Sequence, residues 1–447
     1  MKKLKSFFTL FLSAVLAASL LPACQNGRYA VPAYEDNKTM IISAWQPFTL
    51  SQQSNFDDIR NAGFTMMMPL TNVMNFYGSP TKSMEIMEGA KNAGLKVIVV
   101  DKGMSEPNRW ITTYVDEYKD HPAFAGLYIK DEPRVPEFEW IAQKREAFRE
   151  IFPDDKWCYV NLFPSRIQDV GAANYEDYIT RYIEDVQPNM LSCDSYPLMA
   201  DGKIQNDFFF DNEMISWHAK EYGKSIGKKI PVNGFILCSA HDTGGYNYRV
   251  PTEAELRWQI AVLMAYGVDG VTYYMYETQS DSGDGAGSVY QDSLLNRYGE
   301  KTALYYYAQT VNNEVLAWDH VYLNFKWQGT AAISGTRSNL NPMFLSLKYA
   351  LYDNEVEGVQ SIVSTYDALV GSFKDGKGNP GLMITNATNP MEKITTRVTV
   401  KFDKKYSGVI VYEKGVPTGV IPLTANKEAY IRCSSGEGKF VIPVVKK

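Results

Sequence analysis

Between residues 40 and 276 the chain alternates short apolar runs with helix-like stretches, and this alternation limits the fold more than any other feature. The candidate strands are Met40–Trp45, Phe64–Leu70, Leu95–Asp101, Phe124–Ile129, Trp157–Leu162, Met190–Asp194, Ile230–Leu237 and Gly270–Tyr276. Each is apolar almost throughout, the pattern of parallel strands covered on both faces. The joints agree. Asn61-Ala62-Gly63-Phe64 and Asn92-Ala93-Gly94-Leu95 are near copies, in which a helix closes on a left-handed glycine and a strand begins at once. Tyr266-Gly267-Val268-Asp269-Gly270 repeats the device before the last strand. Pro251-Thr252-Glu253-Ala254-Glu255 opens a helix with a threonine cap and a reciprocal glutamate, and Leu256, Ile260, Leu263 and Met264 come next at helical spacing. Eight such units fit a closed (β/α)8 barrel. The rival, a doubly wound open sheet, usually has five or six strands.

Past about residue 320 the period changes to two. Thr396, Val398, Val400 and Phe402 alternate with Arg397, Thr399 and Lys401, and Gly415, Gly419 and Gly436 punctuate the remaining residues. This reads as a small antiparallel β-sandwich. The expected class is therefore α/β, a (β/α)8 TIM barrel over residues 40–320 with a C-terminal β-sandwich over 321–447.

The first residues read as a targeting segment. A basic start, Met1-Lys2-Lys3-Leu4-Lys5, precedes an apolar run from Phe7 to Leu21 that ends Leu21-Pro22-Ala23-Cys24. Residues 1–23 are expected to be a lipoprotein signal peptide, Cys24 the lipidated residue, and 24–39 a tether. The acyl chains would anchor the chain to the membrane, which puts it in a bacterial cell envelope. Loss of Lys2, Lys3 and Lys5 would take the net charge from −6 to −9. No nucleic-acid partner is expected at that charge, because phosphates need a basic footprint. Only four histidines occur, with no HExxH, and no cysteines are spaced as a CxxC pair, so no metal site or cofactor is expected. Tyrosine is abundant, at 30 residues. Flat faces with a polar handle suit both cores and sugar rings.

In a barrel the chemistry sits where strands end at their C-terminal side. The fourth strand ends Lys130-Asp131-Glu132-Pro133, the fifth Asn161-Leu162-Phe163-Pro164, the sixth Asp194-Ser195-Tyr196-Pro197, and the eighth Tyr273-Tyr274-Met275-Tyr276-Glu277. The third ends at Asp101 and the first at Trp45. Two adjacent carboxylates at a strand end are expensive to bury idle. Glu132 is the candidate general acid/base, with Asp131 orienting it. Trp45, Asp101, Asp131, Asn161, Tyr196, Tyr274 and Tyr276 are the candidate substrate-binding residues. Three weaker patterns carry no chemistry: Gly376–Gly381 is a hairpin turn despite its glycine spacing, Ser239, His241 and Asp242 are too close for a relay, and Asp281–Gly287 is a flexible loop beside the site.

Asp-Glu-Pro at 131–133 resembles the Asn-Glu-Pro signature of clan A glycoside hydrolases. Glu132 and Pro133 match; Asp131 replaces the asparagine that usually touches a sugar 2-hydroxyl. The wider pattern is similar to glycoside-hydrolase-like barrel lipoproteins of Bacteroidetes type. It rests on the lipobox, Lys-Asp-Glu-Pro, Asp-Ser-Tyr-Pro at 194–197, Arg249 to Arg257, and the Ser435-Gly436-Glu437-Gly438 turn. The resemblance implies a carbohydrate substrate and Glu132 as acid/base. Clan A enzymes carry their nucleophilic glutamate at the end of the seventh strand, where this chain has Leu237-Cys238-Ser239-Ala240. The second catalytic carboxylate could then be Glu277, Asp194 or Asp242, with Glu277 favoured and Asp194 next, or the substrate could assist its own cleavage with no enzymatic nucleophile. The expected function is a cell-envelope glycoside hydrolase. The alternative is a non-catalytic glycan-binding lipoprotein on a degenerate barrel.

Overall fold

The computed structural model describes residues 28–69, 73–109, 114–243, 245–279, 289–339 and 341–447. The expected signal peptide, Cys24 and the Asp281–Gly287 loop lie outside the described residues.

All eight expected strands form: β1 (Ile41–Trp45), β2 (Met66–Met68), β3 (Lys96–Val99), β4 (Phe124–Asp131), β5 (Trp157–Asn161), β6 (Leu191–Cys193), β7 (Val232–Leu237) and β8 (Gly270–Tyr274). They pair in parallel in the order β5-β4-β3-β2-β1-β8-β7-β6. A parallel bridge between Leu162 and Cys193, with Leu162 N–H donating to Ser192 O at 2.9 Å, joins the two ends and closes the barrel. Closure leaves no sheet edge.

Helices α1 (Gln53–Asn61), α2 (Pro80–Ala93), α3 (Phe138–Ile151), α4 (Tyr175–Val186), α5 (Phe208–Ser225), α6 (Glu253–Ala265) and α7 (Ala303–Leu316) surround it. Helix α2 ends as its sequence implies, on Gly94 at φ +72°. Between β3 and β4 the described residues hold only single turns, Lys102–Ser105 and Val115–Tyr118, so that unit departs from the regular repeat.

Helix α6 is apolar on nearly every side, and its position explains why. Its start is fixed by the Thr252 and Glu255 capping box. Leu256 and Trp258–Ala265 are all buried, because one face lies on the barrel and the other on the C-terminal sheets. Trp258 Nε1 donates to Asn386 O at 3.0 Å, Thr385 Oγ1 to Ala261 O at 3.1 Å, and Thr330 Oγ1 to Ala265 O at 2.7 Å. One hydrophobic cluster runs from the barrel helices to Phe325, Phe373, Met383 and Phe440 beyond them.

The C-terminal region contains β9 (Phe325–Ile333), β10 (Val359–Ser364), β11 (Ala368–Asp375), β12 (Pro380–Asn386), β13 (Thr396–Phe402), β14 (Gly408–Glu413), β15 (Glu428–Cys433) and β16 (Gly438–Val444). One antiparallel sheet runs β9-β11-β12-β16-β14 and a second β10-β13-β15. A separate cluster, including Val370, Ile384, Val398, Phe402, Ile431 and Val441, fills the space between them, as in a β-sandwich. Residues 376–379 of the glycine-rich segment form the turn between β11 and β12, and Pro380 and Gly381 open β12. The segment before β1 is held against this region: Ala30 N–H donates to Val445 O at 2.9 Å, and Tyr29 is buried beside Ile410, Val420 and Val444.

Candidate active site

A ladder of polar side chains climbs the barrel interior. Asn233 Nδ2 donates to Thr272 Oγ1 at 3.0 Å and to Ser192 Oγ at 3.4 Å. Ser192 Oγ donates to Asn161 Oδ1 at 2.9 Å. This orients the Asn161 amide, whose Nδ2 donates to Asp131 Oδ1 at 3.2 Å and to Asp194 Oδ1 at 3.0 Å. The ends of β4, β5 and β6 thus meet on one amide. A single NH2 group binds both aspartates, so their carboxylates lie no farther apart than two hydrogen bonds allow.

An irregularity in β4 selects which side chain joins them. Tyr128 lies opposite Tyr159 on β5, but Lys130 lies opposite Val160 and Asp131 opposite Asn161. The shift adds one residue to β4, as in a bulge. Regular pairing would have set Lys130 opposite Asn161. Instead Asp131 takes that place, and Lys130 pairs with Glu137 at 3.1 Å.

Glu132 comes next at φ +50°, with its N–H donating to Asn161 O at 2.8 Å. A non-glycine residue in the left-handed region costs of order 1 kcal/mol and is held only where its surroundings impose it. Among the described barrel strands, β1 has the same geometry one residue past its end, at Gln46, φ +56°.

The electrostatics follow from this crowding. Burial pushes the Asp131 carboxyl up to about 6, against the opposing hydrogen bond from Asn161 and the charge of Lys130. Burial, and then the charge of Asp131, push Glu132 up to about 8, against Arg166, Arg134 and Lys130. Asp194 is also raised by burial and by Glu132 and Asp131, opposed by Arg166 and Asn161. At neutral pH Glu132 therefore holds a proton, the state required of a general acid.

Aromatic side chains pack below and beside the acids. Trp45 is buried with its ring 6.3 Å from Tyr128, 6.2 Å from Tyr159 and 5.3 Å from Phe235, which makes it floor. Tyr196 lies 5.3 Å from Tyr274, and Tyr274 Oη is 3.0 Å from Tyr290 Oη. A small antiparallel sheet of His241–Thr243, Tyr246–Asn247 and Val289–Tyr290 carries His241, Tyr246 and Tyr290 to this wall. His241 lies among Tyr248, Tyr274 and Tyr290, with Nδ1 2.8 Å from Ser239 O.

Four candidate residues sit elsewhere. Glu277 accepts from Phe48 N–H and Thr49 N–H at 2.8 Å each and from Thr49 Oγ1 at 2.6 Å, so its carboxylate clasps the loop after β1. Asp101 caps the turn at Lys102–Ser105 through Gly103 N–H at 2.9 Å and accepts from Tyr118 Oη at 3.0 Å. Tyr276 is buried against Phe64, with ring centroids 5.6 Å apart. Asp242 is exposed and paired opposite Val289. One residue that sequence reasoning passed over is Arg166, in the loop between β5 and α4. Its charge opposes the upward shifts of both Glu132 and Asp194.

No protein-family model matches the sequence, and no curated protein does. Solved structures do. A β-galactosidase from Bacillus circulans sp. alkalophilus aligns over 92% of this chain and 100% of its own, at 9% identity and TM-score 0.54. A glycoside hydrolase family 5 protein from Bacteroides vulgatus ATCC 8482 aligns over 94% and 93%, at 12% identity and TM-score 0.53. Gan42B, a GH42 β-galactosidase from G. stearothermophilus, aligns over 93% and 99%, at 8% identity and TM-score 0.52. The fold is a glycoside-hydrolase-like TIM barrel.

Proposed function

We propose that this chain is a glycoside hydrolase in which Glu132 donates a proton to the leaving glycosidic oxygen. One observation carries the reading: just past the end of β4, Glu132 is fixed at φ +50° with its N–H on Asn161 O, where burial and the neighbouring Asp131 push its carboxyl up. Hydrolysis needs a second carboxylate working against the first. Asp194 fits that role better than Glu277, because Asp194 shares Asn161 with Asp131 while the Glu277 carboxylate is engaged by its loop. Burial, Glu132 and Asp131 push Asp194 up; Arg166 and Asn161 oppose that rise and favour the ionised form that a base or nucleophile needs. Asp131 and Asn161 would hold the sugar ring, with Tyr196 and Tyr274 forming the pocket wall. Cys24 would carry the lipid that tethers the enzyme in the cell envelope.

The test is a panel of oligo- and polysaccharides with the wild-type protein and Glu132→Gln. Cleavage that falls at least about a hundredfold in the variant supports the role; equal cleavage removes it. The second reading, glycan binding without cleavage, is favoured by the end of β7, where Leu237 and Cys238 are buried and no carboxylate stands. Retention of glycans with no product from any of them would establish it.

A further inference from the structure

Arg166 is a buried cation that its protein neighbours do not account for. Its side chain is about 10% exposed. A guanidinium carries five N–H donors in a rigid fork. Here Nη1 is buried with no hydrogen-bond partner among the described residues. Its ion-pair contact, Asp207 Oδ2, is 3.9 Å away, beyond hydrogen-bond reach. Asp207 Oδ1 is likewise buried and unpartnered among those residues, as is Tyr196 Oη two residues past Asp194. The Tyr246 ring lies 5.2 Å from Arg166 Cζ. Unmade hydrogen bonds of buried groups each cost of order 1–3 kcal/mol, and native structures leave few of them. Arg166 Nη1 and Asp207 Oδ1, unmet on two adjoining side chains next to the acids, point to a ligand that completes them.

The surrounding charge says what kind of ligand. Arg166 is faced by Asp207 and Asp211 at the start of α5, by Asp194 past β6, by Glu132 past β4, and by Tyr248. With Glu132 protonated, the Asp207, Asp211 and Asp194 carboxyls still outnumber the guanidinium, so an anionic ligand would meet more acidic groups than basic ones. A sugar hydroxyl both donates and accepts, which suits a guanidinium edge set beside a carboxylate.

We propose that Arg166 and Asp207 form the sugar-recognition subsite of this pocket and select an uncharged sugar over a uronate. Arg166 donates to, and Asp207 accepts from, ring hydroxyls beside the Glu132 and Asp194 carboxyls. This rests on the reading that the pocket takes a glycan, but not on cleavage.

Binding is therefore the readout. Methyl glycosides of glucose, galactose, mannose and xylose, and of glucuronate and galacturonate, are titrated into Glu132→Gln and into Glu132→Gln combined with Arg166→Met or with Asp207→Asn. At least one neutral glycoside should bind, with its uronate about tenfold weaker or worse. Each added substitution should weaken it by about tenfold or more, the loss of a charge-assisted hydrogen bond. One monodeoxy analogue should lose that factor in Glu132→Gln and nothing further with Arg166→Met present. Tighter binding of a uronate, no binding of any neutral glycoside, or affinities unchanged by both substitutions would overturn the proposal. Should Arg166→Met fail to fold, the near-isosteric Asp207→Asn decides alone. Failure of the hydrolytic reading shows separately, as wild-type protein that binds these sugars and cleaves no glycoside.

Discussion

Glu132 has its charged form disfavoured on folding, and this sets the sign of its effect on stability. A carboxyl raised from an ordinary value near 4.5 to about 8 binds more protons in the folded than in the unfolded chain across that window. Its stabilising contribution is complete below about 4.5 and is lost as pH rises to about 8. Glu132→Gln should therefore melt higher than wild type at pH 8, with the gap closing towards pH 4.5. A gap independent of pH in thermal melts would contradict the raised value. Catalysis that depends on the Glu132 proton should likewise fade as pH climbs through about 8. Asn161→Ala removes the donor that both aspartates share and should lower stability by about 1–3 kcal/mol in denaturant titrations. At this scale the sequence is legible where a strand end forces a side chain towards the axis, as for Asn161 and Asp194. It is less so for Glu277, Asp101 and Tyr276, because a residue just past a strand can turn to a loop or to the core. Arg166 lies well past β5 in a loop without periodicity, and only the fold places it.

The eight strands can be read from sequence because burial on both faces leaves an uninterrupted apolar run. The shift within β4 cannot. Nothing in Tyr128-Ile129-Lys130-Asp131 shows that one residue will be added, yet that residue decides whether a lysine or an aspartate lies opposite Asn161. Helix α6 is the clearest agreement between a local signal and its element. Glu255 accepts from Thr252 N–H at 2.8 Å and is also paired with Arg249. Thr252→Ala should cost about 1 kcal/mol. Glu255→Ala should cost more, about 3 kcal/mol or above, since it leaves the largely buried Arg249 uncompensated. Equal melting temperatures for the two variants would show that the ion pair adds nothing to the cap.

Across the whole molecule, the change of period near residue 320 marks a change of architecture but not a break in the core. Helix α6 is covered on one side by the barrel and on the other by the C-terminal sheets, and the hydrophobic cluster passes through it. Barrel and sandwich should therefore unfold in one calorimetric transition. Trp258→Ala, which empties the place of a fully buried indole at this junction, should cost about 3–5 kcal/mol and lower that transition as a unit. Two separated transitions would mean independent domains. The proposed anchor has its own measurement: wild-type protein expressed in bacteria should partition into detergent, and Cys24→Ser should not.

Comparing leaving groups tests Glu132 as the proton donor most directly. A proton donor matters most when the departing oxygen is a poor leaving group. Glu132→Gln should lose at least about a hundredfold in kcat/KM on an alkyl glycoside, yet retain most of its rate on the dinitrophenyl glycoside of the same sugar. Equal losses on both substrates, or none on either, would contradict Glu132 as the proton donor.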